Sequence, residues 1–306
     1  MRIASLFCGA GGLDKGFLNA GHEVVWANDF DADSCETYKR NIGDHVICDD
    51  ISQINEKTVP KFDVLIGGFP CQGFSRANVH RVKKDSRNSL YLHVIRFLSQ
   101  NRPKFFLLEN VRGIKTLNDG KDFSEIILAL EECGYEVAHQ TMNAADFGVP
   151  QNRIRVIITG VRSDLSKKYR YAYPPPTHCK EGHLLPKWVT ISEALTGIGE
   201  PDDSANLPNH ICSKYKVTNR DFTGHRRTDP DKPSPTILAR GNGGGGVCAI
   251  QHPNNHRRLS VRESATIQTF PLDFVFHGGL MSGYRQVGNA VAVKFAEAIA
   301  SGFNAV

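Results

Sequence analysis

Short apolar runs alternate with amphipathic stretches through the first half of the chain. Arg2–Phe7, Glu23–Ala27, Asp63–Ile66, Lys104–Leu108 and Ile154–Gly160 are short, rich in β-branched or aromatic residues and bounded by Gly, Pro or Asp, which predicts buried strands. Leu13–Ala20, Asp31–Arg40, Asn88–Gln100 and Phe123–Cys133 carry apolar residues at helical spacing; Leu90, Tyr91, Val94, Ile95 and Leu98 fall on one face of the third. Strands separated by helices of this length predict an α/β fold with a doubly wound sheet.

After about Asp164 the texture changes. Tyr173-Pro174-Pro175-Pro176 breaks the pattern, and the chain to about His256 is rich in Pro, Gly, Asn and His, with the run Gly241-Asn242-Gly243-Gly244-Gly245-Gly246 inside it. This stretch predicts a smaller, irregular second domain. Helical periodicity returns over Val261–Thr269 and Ala290–Ile299, and the last helix is expected to fold back onto the sheet. No internal repeat is visible.

Composition narrows the class without choosing a function. The chain has 306 residues, 40% hydrophobic and 23% charged, which suits a folded protein with a sizeable core rather than a disordered one. The formal net charge of +5 is compatible with a phosphate-bearing partner. No apolar run is long enough to span a bilayer, and the N-terminal apolar stretch is too short for a signal peptide, so a cytoplasmic location without membrane attachment is expected. The eight cysteines are scattered and form no CxxC pair, which predicts free thiols and no metal site.

Several segments carry candidate chemistry. Phe7-Cys8-Gly9-Ala10-Gly11-Gly12 follows the first strand and opens a helix, where glycines let the backbone turn tightly and approach a ligand. The second strand ends in Asp29-Phe30, a carboxylate placed to hold a ribose hydroxyl pair and a ring able to stack on a purine; Asp29 serves equally well as a helix cap. Asp50, near the end of the third strand, has the same two readings. Next, Gly67-Gly68-Phe69-Pro70-Cys71-Gln72 holds a cysteine at a strand's carboxyl end, where a thiolate would be a nucleophile. It leads into a basic segment, Ser75 to Asn88, suited either to solvent or to an anionic polymer. Glu109-Asn110-Val111 follows a strongly apolar strand, so the Glu109 carboxyl is expected to be partly desolvated and a better proton donor. Finally, alternation in Gln151-Asn152-Arg153-Ile154-Arg155 puts Arg153 and Arg155 on one face, available to Glu109, to a substrate or to solvent.

Taken together, FCGAGG, PCQ, ENV, QNRIR, RRLSVRE and GYRQVGNAVAV, in this order from Leu6 to Val293, resemble the cytosine-5 DNA methyltransferases of bacterial restriction–modification type. The resemblance implies a mixed sheet of the S-adenosylmethionine-dependent methyltransferase type, with a catalytic and cofactor-binding domain at 1–175 plus 282–306 and a target recognition domain at 176–281. It implies that the target cytosine in duplex DNA is flipped out, that Cys71 attacks C6, that Glu109 engages N3, and that Arg155, with Arg153 nearby, contacts the cytosine carbonyl. S-adenosylmethionine, leaving as S-adenosylhomocysteine, would lie against Phe7, Gly9, Gly11, Gly12, Asp29, Phe30, Asp50, Ile51, Pro70, Asn289 and Ala290. DNA would meet Gln72, Ser75, Arg76, Arg81 and Arg87, and in the recognition domain Arg227, Thr236, Arg240 and Gly243.

The resemblance also gives Arg258, Arg262 and Glu263 an organising rather than a catalytic role. Ala292 and Leu272 depart from the family pattern, at positions that touch no chemical step. A chain starting at the first motif suggests a stand-alone monomeric bacterial enzyme, with a restriction endonuclease of the same specificity as partner. An RNA cytosine-5 methyltransferase on the same scaffold is the alternative. A silent DNA-binding module would not need Cys71, Glu109 and Arg155 together, and a dinucleotide-dependent oxidoreductase leaves PCQ and ENV unexplained.

Overall fold

The computed structural model describes residues 1–69, 90–201, 207–213, 228–239, 250–254 and 257–305. In chain order these form β1 (Arg2–Leu6), α1 (Gly12–Asn19), β2 (Glu23–Asp29), α2 (Ala32–Asn41), β3 (Val46–Cys48), β4 (Val64–Gly67), α3 (Leu90–Asn101), β5 (Phe105–Val111), α4 (Lys121–Glu132), β6 (Tyr135–Asn143), β7 (Ile154–Arg162), β8 (Tyr169–Tyr171), α5 (Ile191–Leu195), α6 (Val261–Ile267), α7 (Leu280–Asn289), α8 (Val293–Ala300) and β9 (Phe303–Ala305). The expected doubly wound sheet is present. Seven strands run in the order β3-β2-β1-β4-β5-β7-β6, and β8 pairs with β9 separately.

Within the large sheet β1 to β5 are parallel, while β7 runs antiparallel to both its neighbours. That one reversal matters for the site. The carboxyl ends of β1, β2, β3, β4 and β5 share an edge of the sheet, and the start of β7 arrives at that same edge.

Side-chain alternation sorts the strands into two cores, as expected for a sheet covered on both faces. Ile3, Ile66, Phe105, Leu107 and Ile157 pack with α1 and α8. Ala4, Leu6, Leu65, Phe106, Leu108 and Ile158 pack with α3 and α4. A third cluster lies in the second half, where Ile191, Ile237, Leu259, Ile267, Phe270 and Val287 gather, and Ala10 of the glycine turn joins it.

The return of the last helix to the sheet depends on a small residue. A Cβ on Gly16 in α1 would lie 2.3 Å from Ala296 Cβ and 2.5 Å from the Glu297 nitrogen in α8. The chain ends also meet: the Met1 ammonium is 3.2 Å from His22 Nδ1, and His22 Nε2 is 3.1 Å from the Ala300 carbonyl.

Four features lay outside the periodicity reading. Strand β6 is an edge whose side chains are mostly exposed, so it lacks a continuous apolar run. Strands β8 and β9 are three residues each. Helix α7 reads LMSGYRQVGN, with two glycines and polar residues buried through hydrogen bonds rather than apolar packing. Helix α5 spans five residues and is set by a capping box between Thr190 and Glu193.

Gly16→Ala forces backbone of α8 to move, and is expected to destabilise the protein by about 1–3 kcal/mol. Equilibrium urea unfolding, comparing midpoints at an unchanged slope, measures it.

Candidate active site at the carboxyl edge of the sheet

Strand β5 runs on through Glu109 and Asn110, both buried. Register places Val111 opposite Arg155 and Glu109 opposite Ile157. Glu109 and Arg155 are therefore diagonal neighbours on one face, and Arg155 Nε lies 2.6 Å from Glu109 Oε1 with both side chains about nine-tenths buried. The Nε–H does not aim at that oxygen, so this is a close charge contact rather than an aligned hydrogen bond. Arg155 Nη1 donates to the Ile154 carbonyl at 2.8 Å.

The segment leading to Cys71 is drawn onto the same spot. Asn110 Nδ2 donates to the Phe69 carbonyl at 3.0 Å. A Cβ on Gly68 would stand 3.2 Å from Glu109 Oε2, so glycine lets the backbone pass close to the carboxylate. Pro70, Cys71, Gln72, Ser75, Arg76, Arg81, Arg87, Arg227, Arg240 and Gly243 lie outside the described residues.

Arg153 departs from the expectation that groups it with Arg155. Its guanidinium donates to the carbonyls of Ile237 (3.0 Å), Gly288 (3.2 Å) and Ala290 (2.8 Å). Burial, then Arg155, push its pKa down, and Glu109 pulls it back. Gln151 lies alongside: its Oε1 accepts from the Ile237 N–H at 2.9 Å and its Nε2 donates to Gln268 Oε1 at 3.0 Å. Gln268 Nε2 in turn donates to the Val287 carbonyl at 2.9 Å. Two glutamines and an arginine thus tie the start of β7 to residue 237, to the end of α6 and to the end of α7. The approach is tight, because a Cβ on Gly288 would lie 2.3 Å from the Ala239 nitrogen. These partners lie too far along the chain to be read from it.

At the other end of the edge, Phe7 and Gly9 take left-handed backbone (φ 55° and 54°). For Phe7 this costs on the order of 1 kcal/mol. A Cβ on Gly9 would meet nothing within 4 Å, whereas one on Gly11 would strike Ile42 and one on Gly12 would strike the Val291 carbonyl. Gly9 thus borders open space, while Gly11 and Gly12 allow close packing onto α2 and the C-terminal segment. Asp29 is buried; its Oδ2 accepts from the Gly9 N–H at 2.8 Å and its Oδ1 from the Asp31 N–H at 2.9 Å. Burial pushes its carboxyl pKa up, and these N–H donors hold it partly down. Each oxygen keeps a lone pair free. The helix cap of α2 is Asp31, not Asp29. Phe30 beside it is 73% exposed, and Ile51 is buried. Asp50 is exposed and accepts from the Ser52 N–H at 2.8 Å, closing a turn. Asn289 is exposed at the end of α7, and Ala290 follows it buried. An aromatic face, a carboxylate with spare lone pairs and a glycine against open space fit a nucleoside-bearing cofactor.

Thr236 Oγ1 donates to the Asn152 carbonyl at 2.7 Å and lines a shallow cleft with Asn152, Ile154 and Pro235. Arg262 and Glu263 are buried in structural roles. Arg262 donates to the carbonyls of Pro208, Pro271 and Phe274, and Glu263 takes both Arg257 nitrogens at 2.8 Å while closing the capping box of α6 with Ser260. Arg258 lies 3.6 Å from the centre of the Tyr284 ring.

The sheet order, with β7 alone reversed, and a carboxyl edge that carries an exposed aromatic ring, a buried carboxylate and a buried acid–arginine pair are those of an α/β enzyme. The profile of the C-5 cytosine-specific DNA methylases matches residues 1–304, and the chain belongs to that family. It is a methyltransferase acting on carbon 5 of cytosine in DNA. Among curated relatives, the Type II methyltransferase M.NgoFVII of Neisseria gonorrhoeae is 40% identical over 95% of this chain and 83% of its own length. M.FnuDI of Fusobacterium nucleatum, also a Type II methyltransferase, is 36% identical over 98% of this chain and 93% of its own. The fold matches a DNA modification methyltransferase encoded within an E. coli prophage, with a TM-score of 0.76 at 24% identity over 99% of this chain and 98% of the other. It also matches S. pombe Dnmt2, with a TM-score of 0.68 at 20% identity over 97% and 96%. The family match fits action on DNA and not the RNA alternative. Among the described residues, no helix is long and apolar enough to cross a membrane.

Beneath the glycine turn, buried Asp14 accepts from Ser5 Oγ at 3.0 Å and Tyr38 Oη at 2.9 Å, and burial pushes its pKa up to about 6. The folded protein therefore holds this proton over a range where the unfolded chain has released it. The stability this proton contributes is full below about pH 4 and is lost as pH rises to about 6. Asp14→Asn should remove that slope and gain on the unaltered protein across the window by about 3 kcal/mol, read from unfolding at a series of pH values. Arg153→Met takes the guanidinium donors from the Ile237 and Gly288 carbonyls and leaves the Ala290 carbonyl with Gln268 Nε2 alone, and should cost about 2–3 kcal/mol in the same measurement.

Proposed function

We propose that the enzyme transfers the methyl group of S-adenosylmethionine to carbon 5 of a flipped-out cytosine within one short duplex DNA sequence, and thereby protects host DNA in a restriction–modification system. The observation that carries this reading is the junction at Glu109. Its carboxylate is held by Arg155, its neighbour Asn110 holds the Phe69 carbonyl two residues before Cys71, and Gly68 brings that backbone alongside. The Type II relatives support the restriction–modification assignment.

In this reading Cys71 is the nucleophile. Its thiolate adds to C6 of the cytosine while Glu109 engages N3, so charge developing in the ring is stabilised and C5 becomes nucleophilic. Arg155 orients Glu109 and faces the cytosine carbonyl, and Arg153 is a positioning residue that fixes the strand carrying Arg155. Loss of the C5 proton and departure of Cys71 restore the ring. S-adenosylmethionine, when bound, supplies an electrophilic methyl on a sulfonium. Gly9, Asp29, Phe30 and Ile51 would hold its nucleoside part, with Asp29 accepting from the ribose hydroxyls, and Asp50, Pro70, Asn289 and Ala290 would complete the pocket. Gln72, Ser75, Arg76, Arg81 and Arg87 on one side, and Arg227, Thr236, Arg240 and Gly243 on the other, would contact DNA. One chain carries every motif, so the working form is a monomer in the cytoplasm, with a restriction endonuclease of the same specificity as partner.

The test is to incubate unmethylated plasmid with the protein and methyl-labelled S-adenosylmethionine and map 5-methylcytosine at base resolution. One short sequence should be modified, and Cys71→Ser should give no product. Glu109→Gln should retain S-adenosylmethionine binding while its single-turnover rate falls roughly 10²-fold or more. Modification spread over unrelated sequences, or product from Cys71→Ser, would overturn the assignment.

A further inference from the structure

The turn carrying Asp50 and Ile51 is held both from the sheet and by a side chain from a helix on the face of the sheet. Pairing of β3 with β2 ends at Cys48 opposite Asp29. The Asp49 N–H still donates to the Asp29 carbonyl at 3.0 Å, and Asn28 Nδ2 holds the Ile47 and Asp49 carbonyls at 3.0 and 2.9 Å. From Asp50 onward the turn bonds to itself: the Ser52 N–H to Asp50 Oδ1, the Gln53 N–H to the Asp50 carbonyl and the Ile54 N–H to the Ile51 carbonyl. Such local bonds set the shape of a turn but not its position against the sheet.

Beside the burial of the Ile51 side chain in the core, Arg96 on α3 supplies a directional tie to the turn backbone. Its Nη2 donates to the Ile51 carbonyl at 2.7 Å, and its Nε lies 3.5 Å from Glu56 Oε2 just beyond the turn. Its guanidinium also lies 5.5 Å from the centre of the Phe97 ring, and Phe97 packs on Trp26 of β2 in the same core as Ile51. One arginine therefore links the turn to the strand that ends in Asp29 and Phe30.

We infer that Arg96 is a positioning residue for the nucleoside end of the cofactor pocket, setting the Asp50–Ile51 turn through the Ile51 carbonyl and Glu56. This rests on the cofactor reading above. A charge-assisted hydrogen bond to a carbonyl is short and strong, and the rigid guanidinium makes it through Nη2 while its Nε, with no aligned hydrogen bond, keeps only a charge contact with Glu56. Lysine can replace the charge but not the fork. Arg96 touches none of the groups assigned to the chemistry, so its loss should weaken cofactor binding and leave the chemical step alone.

The experiment compares Arg96→Met, Arg96→Lys, Glu56→Gln and Asp29→Ala with the unaltered protein. Backbone hydrogen exchange at residues 50–54 is measured without cofactor, S-adenosylmethionine Kd by calorimetry, and kcat and the KM for DNA at saturating cofactor. Arg96→Met should speed exchange in the turn and raise Kd about tenfold, with kcat and the KM for DNA within about twofold. Arg96→Lys should be intermediate, and Glu56→Gln, at a side chain only 18% exposed, should shift exchange and Kd the same way by less. The last two variants decide the matter if Arg96→Met does not fold. Unchanged Kd in the Arg96 variants, or a fall in kcat at unchanged Kd, overturns the inference while Asp29→Ala still weakens binding. If Asp29→Ala binds as tightly as the unaltered protein, the cofactor reading itself has failed and the inference falls with it.

Discussion

The buried polar junction of Gln151, Arg153 and Gln268 is the constraint on which the rest of the molecule depends. It joins the first residues of β7 to the second half of the chain and to the end of α7 through backbone carbonyls and one amide-to-amide bond. A buried group left unmet costs more than a made bond contributes, and of the side-chain nitrogens and oxygens of these three residues all but Arg153 Nε have a partner among the described residues. The junction therefore admits few alternative arrangements. It fixes how the irregular half sits against the sheet, and it fixes the strand from which Arg155 reaches Glu109.

From that junction the site follows by topology. A wholly parallel sheet would carry the start of β7 to the far edge, away from the end of β5. Reversal brings QNRIR and ENV together, and diagonal neighbours on one face then form the ion pair. The parallel strands β1 to β4 deliver the glycine turn, Asp29 and the Phe69 carbonyl to the same edge, either side of the point where the strand order reverses. The residues proposed for chemistry and those proposed for the cofactor are thus neighbours because strand ends are neighbours. Three local devices refine the placement: Asn110 on the Phe69 carbonyl, the missing side chain at Gly68, and the tie from Arg96.

Much of this was legible in the sequence. The five strongest strands and the helices between them carry long-range burial as local periodicity, so their apolar patterns locate them to within a few residues. Asp29 and Glu109 were legible as carboxylates following apolar strands. The roles of Gln151, Arg153 and Gln268 were not, because their partners are carbonyls up to 137 positions away, and a carbonyl has no residue signature. Arg153 and Arg155 look equivalent by alternation, yet one is committed to backbone and the other to a carboxylate. Edge strand β6 was missed because exposure erases the apolar run, and α7 because glycines and polar residues make up most of its buried face. Ser260-Val261-Arg262-Glu263 did carry a readable sign, the spacing of a capping box, for the helix start at Val261.

The meeting of the two chain ends has a consequence for the polypeptide as a whole. Met1 and Ala300 each stand within hydrogen-bonding reach of His22, on the side of the first strand remote from Asp29 and Glu109. The backbone path is therefore close to a ring. A short peptide joining the ends would remove conformational freedom from the unfolded chain and ask little of the folded one, and the join would lie far from the edge that carries Asp29 and Glu109.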